Sequence, residues 1–362
     1  MKKLGFASVL ILSVTLVILG SGMAMAQQQL IALPTAWMPE HEVFFPWYAK
    51  EKGWDKEEGL DLKILYFESG MAQLEALPAK KWVLGSTGGT PHVMGALRYG
   101  AYMIGLGNDE SFCNAVYVRP DSPVMKSKGV QKGYPQVYGR VEDIKGKTFL
   151  VTTVSSAHYA MGSYLRVFGL GDKDVVVKHM DQASIMAAFE AGIGDFAALW
   201  APYTFTADEK GWKEAGNVNA CKAAVPITFI GDKEYCDKNP QVVAKFLRVM
   251  FRSINKLKEE GATEANIKLF QKMYKEWAGM EFTPQAAKKD IEMHPVWKLE
   301  EQFKLFDDSK GESEAQKWER LLAEFLNANG RINNEELAKV KKLGWVTGKF
   351  LKMVKTPIPS YK

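Results

Sequence analysis

Between Gln29 and Leu106 short strand-forming runs alternate with short helix-forming runs, and few residues are spent between them. Gln29 to Leu33 reads as a first strand. Val43 to Lys52 follows as a segment interrupted by Pro46 and closed by Gly53, with Trp54 over its exit. Leu60 to Phe67 alternates apolar and polar residues in part, as a strand does. Ser69-Gly70 turns the chain into a helix at Met71 to Leu77, and Trp82 to Leu84 is again strand-like. Gly85 to Thr90 is a small-residue loop, and Pro91 fits a first helical position. Tyr102 to Leu106 is the next strand, ending in Gly107, Asn108, Asp109 and Glu110. This alternation leaves few solutions; the simplest is an α/β fold with a parallel sheet covered by helices. Ligand crevices in such sheets lie at the carboxyl ends of strands, where each of these polar clusters falls.

The same grammar restarts further on. Ala115 to Arg119 leads away as a strand, and Asp121 to Arg140, rich in Gly, Pro and Lys, is a surface excursion. Strands are expected at Thr148 to Val154, Val175 to His179 and Phe196 to Trp200, with helices at Ala157 to Phe168 and Ala183 to Ala191. The stretch VTTVSSAHYAMGSYL, Val151 to Leu165, places Ser155 and Ser156 where a helix N-cap belongs. Unpaired N–H groups and the helix dipole favour negative charge there, so this junction suits an oxyanion. Ile227 to Ile230 returns toward the first unit. Asn239 and Pro240 open a long helix with apolar residues at helical spacing from Val242 to Leu257. The remaining chain reads as charged helices with Trp297, Trp318 and Trp345 as packing anchors, and no chemistry is read there.

Met1 to Ala26 has the layout of a cleaved export signal: Lys2 and Lys3, an apolar run from Val9 to Leu19, and Ala24-Met25-Ala26 before the cut. It contains no Cys, so a lipid anchor is not expected. Loss of the two lysines lowers the formal charge from +5 to +3, a balance that selects neither nucleic acid nor an acidic membrane. Export permits a disulfide, and Cys221 and Cys236 flank a segment short enough to bridge. Cys113 reads as a small buried residue. Cysteines and histidines lack metal-ligand spacing, so no metal or cofactor is expected.

YFESGMAQLEAL (Tyr66 to Leu77), LGSTGGTPHVMGAL (Leu84 to Leu97), GLGNDES (Gly105 to Ser111) and DQASIMAAFEAGIGDFAALWAP (Asp181 to Pro202) occur in that order. They resemble the periplasmic solute-binding proteins for taurine, alkanesulfonates and nitrate that serve ATP-binding cassette importers. The resemblance implies a two-lobed type II periplasmic-binding-protein fold with the ligand between the lobes. One lobe would comprise 27–112 and 226–362, the other 113–225. It implies a monomer in the periplasm, partnered by an inner-membrane permease. Read with the strand ends, it points to ligand contacts from Trp37, Ser69, Gly70, Gly89, Thr90, Asn108, Glu110, Ser155, Ser156, His158, Tyr159, Asp181 and Trp200. GLGNDES is similar to a segment of taurine-binding proteins, which places Asn108 and Glu110 at a strand's carboxyl end in the cleft; an acid there calls for a zwitterion, with its ammonium at Glu110, alone or with Asp109, and its oxyanion at Ser155 and Ser156. Trp37, Met38 and His41 suggest a roomier mouth than taurine needs. Other small anions, an aromatic or pyrimidine solute, and a sensory role remain as alternatives. An enzyme is not expected: the related thiamine-pyrimidine synthase carries clustered cysteines that this chain lacks.

Overall fold

The computed structural model describes residues 29–342 and 344–362; the expected signal peptide, 1–26, lies outside the described residues. In chain order the strands are β1 (Ile31–Trp37), β2 (Leu60–Tyr66), β3 (Leu84–Gly88), β4 (Ala101–Asp109), β5 (Ala115–Val118), β6 (Thr148–Val151), β7 (Val176–His179), β8 (Phe196–Leu199), β9 (Lys213–Asn217) and β10 (Pro226–Asp232). They form two sheets, ordered β2-β1-β3-β10-β4 and β7-β6-β8-β5-β9. The chain passes from the first to the second at 110–114 and returns at 218–225.

The alternation of strand and helix produces the parallel part of each sheet. β1 and β2 run parallel from Ile31↔Leu60 to Trp37↔Tyr66, and β6 lies parallel between β7 and β8. The strands that link the lobes run the other way. β10 is antiparallel to both β3 and β4, and β5 is antiparallel to β8 and β9. β3 (LGSTG) is buried throughout, since strands covered on both faces have no solvent side to keep polar. A Cβ at Gly85 would stand 2.3 Å from the Ala36 carbonyl oxygen, so a glycine is what lets β3 lie against β1. β9 (KEAGN) has little strand propensity; it is a strand because β5 offers it an edge to pair with.

The long helix Pro240–Glu260 packs on Phe44–Lys52, in a core that includes Phe44, Phe45, Phe229 and Phe246. The C-terminal helices do more than pad this lobe. Glu314–Ala328 lies over the first lobe, with Glu319 paired to His92 at 2.9 Å, both buried. Its Phe325 ring reaches the second lobe, edge-on to His158 and Tyr159. Trp297 and Trp318 pack together with ring centroids 5.7 Å apart. The expected Cys221–Cys236 bridge is corrected: both are free thiols. Cys221 lies in the core of the second lobe and Cys236 in that of the first, so nearness in sequence does not bring them together.

Candidate functional site

Between the lobes is a cleft of about 350 Å³. The first lobe contributes Met38, Glu40, Ser69 to Ala72, Glu75, Gly88 and Pro91; the crossover contributes Glu110; the second lobe contributes Thr152 to Ser156, His179 and Trp200. Most of these groups sit at or just beyond a strand's carboxyl end, where the crevice of such sheets lies.

The turn after β6 is the most constrained part of this wall. Val154 has φ +60°, a left-handed conformation that a β-branched residue adopts only at a cost. His158 holds it there. Its Nδ1 accepts from the Val154 N–H at 3.2 Å, and its Nε2 donates to Asp172 Oδ2 at 2.8 Å. Ser155 caps the helix Ser156–Val167: its Oγ accepts from the His158 N–H at 3.2 Å. Its own proton is given to the Thr152 carbonyl at 2.6 Å. Ser156 and Glu110 face the cleft from its two sides. A Cβ at Gly88 would stand 2.5 Å from Ser156 Oγ, so the two lobes touch here and a glycine permits it. The Ser155 hydroxyl is thus engaged, and the donors this turn leaves for an oxyanion are the Ser156 hydroxyl and backbone N–H groups at the helix start.

Of the residues singled out from sequence, Ser69, Gly70, Glu110, Ser155, Ser156 and Trp200 line the cleft. Ser69 Oγ caps the Ala72 N–H at 3.3 Å. The others stand elsewhere. Trp37 is fully buried, its indole N–H donated to Thr35 Oγ1 at 2.7 Å and its ring packed against Phe246. Gly89 and Thr90 are buried behind Gly88, with Leu322 against the Gly89 position. Asn108 is buried and pairs through its backbone with Val296. His158 braces the turn from behind, and Tyr159 packs on Phe325. Asp181 caps its helix through the Ser184 N–H at 2.8 Å. Among those missed are Glu40, Glu75, Thr153 and His179. His179 Nδ1 accepts from the Thr153 N–H at 3.1 Å, which leaves the ring proton on Nε2. The strand-end signal was available for Glu40 and His179, since each follows or ends a strand.

The floor is a cluster of buried ionisable groups. Glu40, Glu42 and Glu110 each bring a carboxylate oxygen within 4.8 Å of the other two. Behind them Asp290 lies 3.1 Å from His41 Nδ1 and 3.2 Å from His294 Nδ1, and the two imidazoles stack with centroids 4.5 Å apart. Burial pushes all three glutamates up: Glu42 to about 8, Glu110 to about 7, and Glu40 well above the ordinary carboxylate range. Repulsion from the neighbouring glutamates adds to the rise at Glu40 and Glu42. Burial, with repulsion from His294, lowers His41 to about 4. Burial opposes ionisation of Asp290, but the two imidazoles outweigh it and hold it at about 2. Burial likewise opposes a charge on His294, yet Cys113 and Asp290 hold its pKa well above the ordinary value. Burial keeps Cys113 a thiol at neutral pH by raising its own pKa, so Asp290 is the charged partner. Among the described residues, no Lys or Arg lines the cleft.

Two α/β lobes joined by two crossovers, with the cleft at their strand ends, define a periplasmic-type solute-binding protein. The chain belongs to the NMT1/THI5-like family, whose pattern matches residues 40–262. It is 25% identical over 289 residues, 79% of each chain, to a putative ABC transporter periplasmic binding protein of Brachyspira hyodysenteriae. To the taurine-binding periplasmic protein of Escherichia coli it is 24% identical over 195 residues, 53% of this chain and 56% of that one. Among solved structures, the periplasmic aliphatic sulphonate binding protein SsuA of Escherichia coli superposes with a TM-score of 0.67 at 16% identity, covering 86% of this chain and 91% of that one. The fold also hosts catalysis: the desulfurization enzyme DSZB, as a mutant in complex with biphenyl-2-sulfinic acid, matches with a TM-score of 0.58 at 14% identity, covering 89% of this chain and 98% of that one.

Proposed function

We propose that this protein is the solute-binding component of an ABC importer, acting in the periplasm as a monomer that hands its solute to a membrane permease. Its solute is a small sulfonate-like zwitterion, taurine-like in carrying charge at both ends. The observation that carries this reading is the charge layout of the cleft. One wall offers the free N–H groups at the start of helix Ser156–Val167, while Glu40, Glu75 and Glu110 line the cleft with no Lys or Arg beside them among the described residues. A plain anion leaves these acidic groups without a cationic partner, whereas the ammonium of a zwitterion favours their ionised form and its oxyanion meets the opposite wall. Trp200 offers its face to the solute's alkyl part. Names of relatives that bind sulfonates and taurine support the same class. Nucleophilic catalysis has little to work with: the three cysteines are buried and none lines the cleft. Calorimetry with taurine and ethanesulfonate tests the reading. Taurine is expected to bind more tightly, and Glu110→Gln to erase its advantage. A preference for ethanesulfonate, or heat from neither, would overturn it.

A further inference from the structure

We propose that Glu40, Glu42 and Glu110 form a seat for a primary ammonium group, and that the amine, not the sulfonate, is the group this cleft requires. This rests on the solute-capture reading and names the end of the solute that governs it.

The three carboxylates come from two places in the chain. Glu40 and Glu42 sit on the turn after β1, and Glu110 lies at the end of β4. Glu40 and Glu110 line the cleft, while Glu42 lies beneath with no exposure. Among the described residues, neither carboxylate oxygen of Glu42 has a hydrogen-bond partner, and Oε1 of Glu110 also lacks one. Buried carboxylate oxygens left without donors are costly. The missing partner is therefore a group with several donors and positive charge. A primary ammonium has three N–H bonds in tetrahedral array; at charge-assisted hydrogen-bond lengths, three acceptors around it stand about 4.6 Å apart. One oxygen from each of the three carboxylates lies within 4.8 Å of the other two, close enough for one such group to reach all three. A quaternary ammonium has no N–H to give and calls for an aromatic cage; Trp200 is the one indole or phenyl ring on the lining among the described residues. On the oxyanion side the Ser155 hydroxyl is spent on the Thr152 carbonyl and, among the described residues, no Lys or Arg lines the cleft, so that end has the weaker grip.

Calorimetry and thermal unfolding of the full mature chain, dialysed against chelator, test the seat. The ligands are taurine, N,N,N-trimethyltaurine, 3,3-dimethylbutylamine (taurine with a tert-butyl group in place of the sulfonate) and ethanesulfonate. The expected order is taurine, then dimethylbutylamine, then ethanesulfonate, with trimethylation weakening taurine at least tenfold. Glu42→Gln should weaken both amines about tenfold; Glu40→Gln, on the cleft wall, serves if the buried variant does not fold. Trimethyltaurine binding as tightly as taurine, or ethanesulfonate binding more tightly than dimethylbutylamine, would overturn the seat; taurine's lead over ethanesulfonate would still support solute capture. A melting shift with calcium, magnesium or manganese chloride that disappears in Glu42→Gln would assign the seat to a metal ion and also sink the proposal. Binding of ethanesulfonate alone would sink both readings.

Discussion

Val154 is where this chain accepts strain for position. A non-glycine residue held at positive φ costs roughly 1–3 kcal/mol, and here the cost keeps the β6 turn under the start of the helix. The His158–Asp172 pair holds it by fixing which imidazole nitrogen accepts from the Val154 N–H. Val154→Gly should therefore leave folding stability unchanged or raise it by about 1 kcal/mol, while weakening solute binding several-fold because the turn loses its fixed shape. Chemical denaturation and calorimetry on the same variant separate the two effects; a stability loss above about 1 kcal/mol would show that the valine side chain, not the backbone, is what matters. Trp200 gives a second measurement. It lines the cleft, and its backbone N–H donates to Gln182 Oε1 at 3.2 Å. Solute should therefore perturb tryptophan emission, and the change should vanish in Trp200→Leu. A retained change at wild-type affinity would move the ring out of contact with the solute.

At the scale of elements, the helix Glu314–Ala328 joins the lobes from behind. It docks on the first lobe through Glu319 and Leu322 and puts Phe325 against the second. Gly162 makes room for it: a Cβ there would lie 2.1 Å from the Phe325 ring. Gly162→Ala should force that ring away, widen the angle between the lobes and reduce solute affinity, since lobe closure is a hinge movement in this class of protein. Small-angle scattering without solute reads the widening, and an unchanged profile with unchanged affinity would refute it. The helix and its Trp318 anchor were legible in the sequence; that it straps the two lobes together was not, since the C-terminal third read as charged helices without chemistry. The reason is physical. Strand–helix alternation and turn residues are local signals, so β1, β2, β4 to β8, β10 and the Ser155 cap were readable from neighbours a few residues apart; β3 (Leu84–Gly88) was not, because its small residues read as a loop. The strap, the edge strand β9 and the pairing of His41 with Asp290 and His294 depend on contacts across much of the chain. The candidate site divides the same way. Residues at strand ends, such as Ser69, Glu110 and Ser156, were readable; Trp37 was misplaced because a tryptophan ending a strand looks the same whether it faces cleft or core.

For the whole molecule, the buried cluster makes folding stability depend on pH. Glu42 and Glu110 have folded pKa values near 8 and 7 against an ordinary 4.5, and Glu40 is raised in the same direction. Between those limits the folded state holds protons that the unfolded state has lost, so their contribution is fully present below about pH 4.5 and falls as pH rises through about 7 and 8. His294, also raised, acts with the same sign above its ordinary 6.5. His41, lowered to about 4, opposes them, but only between about 4 and 6.5. Asp290, lowered to about 2, changes nothing above its ordinary value of 3.8. The unopposed window is therefore about pH 6.5 to 8. The solute-free protein should lose thermal stability steadily across it, and Glu42→Gln should flatten the slope because that group no longer has a proton to lose. A seated ammonium reverses the logic: it stabilises the ionised carboxylates, so binding expels protons and tightens as pH rises through the same window, as long as the amine itself stays protonated. Calorimetry of taurine in two buffers of different ionisation enthalpy at about pH 7 should show net proton release to the buffer, larger at about pH 6.5 than at about pH 8. Proton uptake, or no dependence on the buffer, would mean that the carboxylates do not meet the solute's charge.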